Sequence, residues 1–216
     1  MTKLFWQAKI WGLLHDPALK ALHTAGRGGN GLWRDLEVMK DGVDNGWDPE
    51  SKSRKGWKHI HLADYIASAS DRGAVGSLSV PINYNEEGLE TRHLLSGKPR
   101  KLKLNSNVHQ TLMQPKRGNF LVNLEDTLLP TEIQTEPDAR KVFWWLWRCL
   151  PMATCQALGN QESLLLMPAE TRLPDSSIWD HASITAALAG ALTGFDLSSE
   201  DLEYWNKNSR NSWINK

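Results

Sequence analysis

Apolar positions recur at helical spacing in several separated stretches of the chain. Over residues 3–15, Phe5, Ile10, Trp11 and Leu14 form a broad apolar face, and Pro17 disfavours helical geometry at Asp16. A helix over 3–15 ending at His15-Asp16 is therefore predicted. A short second helix is expected over 17–25, broken by Gly26-Arg27-Gly28-Gly29-Asn30-Gly31. The polar run 40–57 reads as a mobile loop. Over 58–71, Leu62, Tyr65, Ile66 and Ala69 form a stripe at three and four spacing. The small residues Ala63, Ala67, Ser68 and Ser70 permit a close approach by another helix.

Residues 76–125 change character. Leu78–Ile82, Lys101–Leu104 and Asn119–Val122 alternate or cluster as short strands do, between turn residues. Helix resumes over 137–150, with Pro137 suited to the first turn and Asp138 at the favourable dipole end. A short helix is expected over 160–168. A strong one follows over 176–193, with Ile178, Ala182, Thr185, Leu188, Ala189 and Leu192 on one side and His181 near its start. The polar tail 196–216 reads as a final helix with a frayed end, and no internal repeat is evident.

Composition adds limits. The chain has 216 residues, enough for one large domain or two small ones. Lys+Arg and Asp+Glu are 25 each, so binding of a polyanion must rest on local patches or on metal. The best basic patch is Lys98, Arg100, Lys101, Lys103, Lys116 and Arg117; it fits phosphate or partner binding, or a solvated loop equally well. The sequence contains no membrane span and no signal peptide, so a cytoplasmic protein is expected. Cys149 and Cys155 lack zinc-pair spacing and read as small buried residues. Eleven tryptophans are present, and Trp144, Trp145 and Trp147 lie together in a dense apolar run. A core or a subunit interface is the favoured reading of that run, over a base-stacking platform.

The candidate chemistry centres on His15-Asp16. An imidazole beside a carboxylate offers a mixture taken by divalent ions that activate water for phosphodiester hydrolysis. Asp64 and His181 lie on other predicted helices among small or apolar neighbours. Two imidazoles and two carboxylates suit Mn, Ni, Co, Fe or Mg better than structural zinc. His61, one turn before Asp64, is a further candidate ligand or donor. His23, His59 and His61 could hold a second metal ion or a phosphate. Other readings stay open: His15 could cap its helix, Asp64 could pair with Arg72, and His181 could face solvent.

Three segments resemble a known family. They are Leu13-Leu14-His15-Asp16-Pro17, the stretch from Ala63-Asp64-Tyr65 to Ser70-Asp71-Arg72, and the stretch from Pro168 through Asp175-Ser176-Ser177-Ile178-Trp179-Asp180-His181. They look like the N-terminal HD region of the large subunit of type III-B CRISPR effector complexes, the Cmr complexes. His93–Gly97 and Lys141–Arg148 add weaker likeness. The resemblance implies a mainly α fold: an HD-phosphohydrolase helical core, circularly permuted, with a loop-rich insertion at about 74–136 containing short β elements. Residues 1–216 would form one such domain. In the implied order His15-Asp16 opens, Asp64 follows, and His181 takes the part of the histidine that usually comes first.

The resemblance further implies a metal-dependent nuclease that hydrolyses single-stranded DNA in antiviral defence, with one or two divalent ions. Its partners would be the other Cmr subunits and, through the assembly, guide and target RNA. His15, Asp16, Asp64 and His181 would hold the metal, with His15 and Asp16 catalytic. Arg72 and the basic segment Lys98, Arg100, Lys101 and Lys103 would contact nucleic acid. Ala18 and Ser176 stand where the family often has proline and histidine. The family's Gly-Gly-Asp-Asp palm motif is missing, so no cyclase activity is expected. Two rival functions remain: a scaffold of the same complex with weak or no catalysis, and a nucleotide phosphohydrolase.

Overall fold

The computed structural model describes residues 1–16, 36, 55–71, 89–92, 95–102, 117–128, 130–135, 138–159, 162–167, 169, 176–195, 198, 200–201 and 204. The described part is mainly helical. In chain order the elements are α1 (Lys3–Leu14), α2 (Lys55–Asp71), β1 (Leu89–Arg92), β2 (Pro99–Leu102), α3 (Arg117–Leu128), α4 (Thr131–Thr135), α5 (Ala139–Ala157), a 3₁₀ helix (Glu162–Leu166) and α6 (Ile178–Leu192).

Side-chain caps start the main helices. Thr2, Asp138 and Ser177 have extended backbones, and each accepts a hydrogen bond from the backbone N–H three residues on, at Phe5, Lys141 and Asp180. Ser177 also donates its hydroxyl to Asp180 Oδ2 at 2.7 Å, which closes the first turn of α6 on itself.

The core lies where α1 meets α5 and α6. Ile10, Leu13 and Leu14 of α1 are buried with Val142, Phe143, Leu146 and Leu150 of α5 and with Ile178, Ala182 and Ala186 of α6. Leu124 and Leu128 of α3, which packs against α5, join the same core. A smaller cluster of Ala8, Ile60, Ala63 and Ala189 holds α2 against α1 and α6. As the small residues of α2 suggest, Ala63 and Ala67 are fully buried.

One crossing sets the geometry. A Cβ on Gly12 would stand 2.9 Å from Ala186 Cα and 3.1 Å from Thr185 O, so α1 and α6 approach backbone to backbone there. One and two turns earlier on α1, Lys9 and Phe5 lie against Gly190. The two helices therefore run antiparallel, and the end of α1 meets the start of α6.

Several sequence expectations are corrected. Asn119–Val122 is helical, not strand-like, because Leu124 and Leu128, four apart, seat the segment on α5. Helix α2 begins at Lys55, so residues 55–57 belong to it and not to the polar loop. Ile66 is exposed, because the small face of Ala63 and Ala67 makes the closest packing. Asp138 caps α5 from outside the helix, and α5 runs through Pro151 to Ala157. The buried Ala153, Thr154 and Cys155 carry it past the proline, and Thr154 Oγ1 donates to the Leu150 carbonyl. Cys155 is buried, Cys149 only partly, and both are free thiols.

Residues 101–102 of the expected strand 101–104 fall in β2, which pairs antiparallel with β1. The turn between them uses a left-handed backbone at Gly97. The expected short helix at 160–168 is the 3₁₀ turn. Ser198 and Asp201 exchange the hydrogen bonds of a helix start, in keeping with a helix in the tail. The expected helix 17–25, the strand at Leu78–Ile82 and Pro137 lie outside the described residues. No described helix is long and apolar enough to cross a membrane.

Candidate metal centre

Three helices bring together the residues that the sequence scatters. His15 is the C-cap of α1, Asp16 follows it, Asp64 lies in the middle of α2, and His181 lies in the first turn of α6. One ligand atom from each lies within 4.8 Å of the corresponding atoms of the other three. His15 Nε2 stands 3.5 Å from Asp16 Oδ2 and 3.5 Å from Asp64 Oδ1. His181 Nε2 stands 3.2 Å from Asp64 Oδ1 and 3.8 Å from Asp16 Oδ2. The imidazole centroids are 5.3 Å apart.

Three of the four side chains have evident supports. The Nδ1 of His15 lies 2.6 Å from the carbonyl oxygen of Gly12. A carbonyl only accepts, so Nδ1 carries the proton and the lone pair of a neutral ring is on Nε2. His15 sits at the C-cap of its helix, and its bond to Gly12 aims the other nitrogen at the carboxylates. Ser68, one turn after Asp64, donates to Asp64 Oδ1 at 3.1 Å. His181 is fixed through its helix. Ile178 N–H donates to Met167 O, Ala169 N–H to Ser176 O, and the Trp179 indole to Leu164 O. Those three bonds clamp the entry to α6.

The site is largely dry. The side chains of His181, His15 and Asp16 are 3%, 7% and 11% exposed, and that of Asp64 is 29% exposed. Solvent therefore reaches the centre past Asp64. Burial raises the Asp64 carboxyl, but the His15 and His181 imidazoles beside it outweigh that effect and hold it well below the usual carboxylate range. Asp64 is thus an anion at neutral pH. The alternative in which His181 faces solvent is overturned: the residue is buried on α6 beside Ala182.

The donor set fits a divalent cation. His15 Nε2 is buried and has no hydrogen-bond partner among the described residues. Two carboxylates at 3.5 Å are too far for a good N–H···O bond, yet leave room for an ion between them. Nitrogen and oxygen donors bind such ions at about 2.0–2.2 Å, which puts donors around one ion roughly 3–4 Å apart. The four separations given above lie in that range. Two neutral imidazoles and two carboxylates balance a divalent charge without further ions.

The other sequence candidates are placed as follows. His59 is buried on α2 and His61 stacks near Tyr65 at 6.1 Å between centroids; both lie outside the four-residue group. Lys98 and Lys101 are exposed on the β1–β2 hairpin, and Arg100 pairs with Thr91 in its ladder. His23, Arg72, Lys103 and Lys116 lie outside the described residues. Gly12 and Ser68 hold two of the four ligand candidates, and the sequence reading assigned them no such role. Ser68 had a usable signal, its position four residues after Asp64 on one helix face.

No family model matches this chain, and neither a curated protein nor a solved structure matches it.

Proposed function

We propose that this chain is a metal-dependent phosphodiesterase of the HD type that hydrolyses single-stranded DNA. The motif likeness to the Cmr large subunit would place it in a type III-B CRISPR effector complex, with the other subunits and guide and target RNA as partners. The observation that carries the reading is the buried Nε2 of His15, without a hydrogen-bond partner among the described residues and aimed among Asp16, Asp64 and His181. The antiparallel meeting of α1 with α6 supports the rotated order of ligands, since it joins the first and last of them.

His15, Asp16, Asp64 and His181 would hold the ion, of which Mn, Ni, Co and Mg are the candidates. A divalent ion there supplies a more acidic water and offsets charge on a phosphoryl oxygen. The chain's own contribution is orientation. Gly12 fixes the tautomer of His15, Ser68 orients Asp64, and the clamped entry to α6 fixes His181. The partly open side at Asp64 gives a phosphodiester its approach.

The test is metal content and cleavage together. Purified protein should retain or take up Mn or Ni in about one to two equivalents and cleave labelled single strands in a metal-stimulated manner. The double variant His15→Ala with Asp16→Ala should lose both while its helical circular dichroism persists. Cleavage unchanged in that variant would remove the assignment. Metal uptake without cleavage of strands or nucleotides would instead favour a scaffold.

A further inference from the structure

The tryptophan run of α5 does not join the core. Trp144, Trp145 and Trp147 are 46%, 38% and 46% exposed, and Met152 beside them is 49% exposed. The buried residues Val142, Phe143, Leu146 and Leu150 occupy the opposite side of the helix. At about 100° per residue, Arg140, Trp144 and Trp147 lie in one line, with Arg148 and Lys141 next to them and Trp145 at the margin. All three cations are exposed, and α5 contains no acidic residue. In a chain of zero net charge, that is a local concentration of positive charge interleaved with indole.

The face continues into a cleft of about 670 Å³ between the starts of α1 and α5, lined by Lys3, Trp6, Arg140 and Trp144 and by one carboxylate, the cap residue Asp138. Trp6 and Trp144 are tilted at 56° with centroids 6.1 Å apart, and the Arg140 guanidinium lies 6.0 Å from the Trp6 ring. Trp144 meets Trp147 edge to face at 5.7 Å. Behind them Lys9 Nζ lies 4.3 Å from the Phe143 ring and within 6 Å of Phe5, Trp6 and Trp144. The aromatic wall is thus backed by a cation as well as flanked by others.

Large exposed apolar groups mark a contact surface. A purely apolar protein partner would leave Arg140, Lys141 and Arg148 with no counter-charge. A single strand offers flat bases to the indoles and phosphates to the cations, which is how sequence-tolerant single-strand sites are built. We propose that the outward face of α5, with the cleft it forms at the start of α1, binds single-stranded nucleic acid. Bases stack on Trp144 and Trp147, and Arg140 and Arg148 take the phosphates. Trp6 stands nine residues before His15, about 14 Å along α1. A strand held there is a few nucleotides from the candidate metal centre. The inference deepens the nuclease reading and rests on it for the role of the strand, but its binding test does not need cleavage.

The experiment is anisotropy of labelled dT12 and U12 with the full chain in chelator, where nothing is hydrolysed. Trp144→Ala should weaken binding roughly tenfold or more. Arg148→Gln, at an exposed site that leaves packing intact, should lower the log–log salt slope by about 0.7. Equal loss for dT12 and U12 supports stacking on any single strand, and loss for one alone assigns DNA or RNA. Failure of dT12 and U12 to bind, or unchanged affinity and slope in variants of native circular dichroism, overturns the inference. So does a Trp147-dependent dimer in sedimentation with no change in oligonucleotide affinity. Binding that depends on Trp144, beside cleavage that ignores His15 and Asp16, removes the nuclease assignment and leaves this one. Metal-stimulated cleavage beside affinity that ignores Trp144 does the reverse.

Discussion

His15 and Gly12 are joined by a 2.6 Å hydrogen bond from the imidazole Nδ1 to the glycine carbonyl, and the Cα of that glycine faces Ala186 across the α1–α6 crossing. One residue therefore sets both how closely the helices approach and which nitrogen of His15 faces Asp16, Asp64 and His181. The packing and the chemistry of the site are coupled at Gly12.

Gly12→Ala tests that coupling. The added methyl carbon would meet backbone at 2.9 Å, which no side-chain rotation relieves. The intrinsic gain of alanine over glycine in a helix is about 1 kcal/mol, and overpacking typically costs about 1–3 kcal/mol. We expect a lower melting temperature together with weaker Mn²⁺ binding by calorimetry. A variant as stable and as metal-competent as the wild type would show that the crossing is not as tight as described.

Metal affinity should fall in acid. Imidazoles donate to metal only when neutral, so protons compete with the ion as the pH falls. Asp64, held well below the usual carboxylate range, stays ionised and adds no such competition at pH 5–8. Calorimetric Mn²⁺ titrations should give a weaker affinity at pH 5.5 than at pH 7.5, with protons released on binding at the lower pH. In chelator, the depressed Asp64 favours the folded state above about pH 4, and that contribution is lost as the pH falls below it.

Removing a buried hydroxyl should stabilise the protein. Thr185 Oγ1 is fully buried on α6 and has no hydrogen-bond partner among the described residues. Thr185→Val keeps the shape and removes a group whose desolvation costs about 1–3 kcal/mol. The expected result is a higher melting temperature at unchanged metal affinity. A lower melting temperature would mean that the hydroxyl has a partner of its own.

Local signals made part of this readable in advance. The His15-Asp16 pair is followed by proline, and Ser177 capping a run of small residues marks the helix that holds His181. The meeting of those helices was not readable from spacing, because Gly12 in an apolar run looks like an interruption and not a crossing point. Likewise Trp144 and Trp147 read equally as core or as a subunit interface, since a dense apolar run conceals which side of α5 each residue takes. Their shared face with Arg140 follows only once Val142, Leu146 and Leu150 are known to point inward. At Pro151 the local rule stops the helix, and tertiary burial of the next turn overrides it.

Ser68 gives the most selective test of the metal centre, because it touches a ligand candidate without being one. Its hydroxyl donates to Asp64 Oδ1, the same oxygen that lies 3.2 Å from His181 and 3.5 Å from His15. Loss of the donor leaves all four ligand atoms in place but frees the carboxylate to rotate toward the open side. Partners of this kind typically matter about 10–100-fold in metal affinity. Ser68→Ala should therefore weaken Mn²⁺ binding by about tenfold, with a nearly unchanged melting temperature in chelator. Ser68→Thr, which keeps the donor, should recover most of the affinity. If the four residues were only a structural ion-pair network, Ser68→Ala would shift the melting temperature in chelator and leave no metal-dependent difference between the variants.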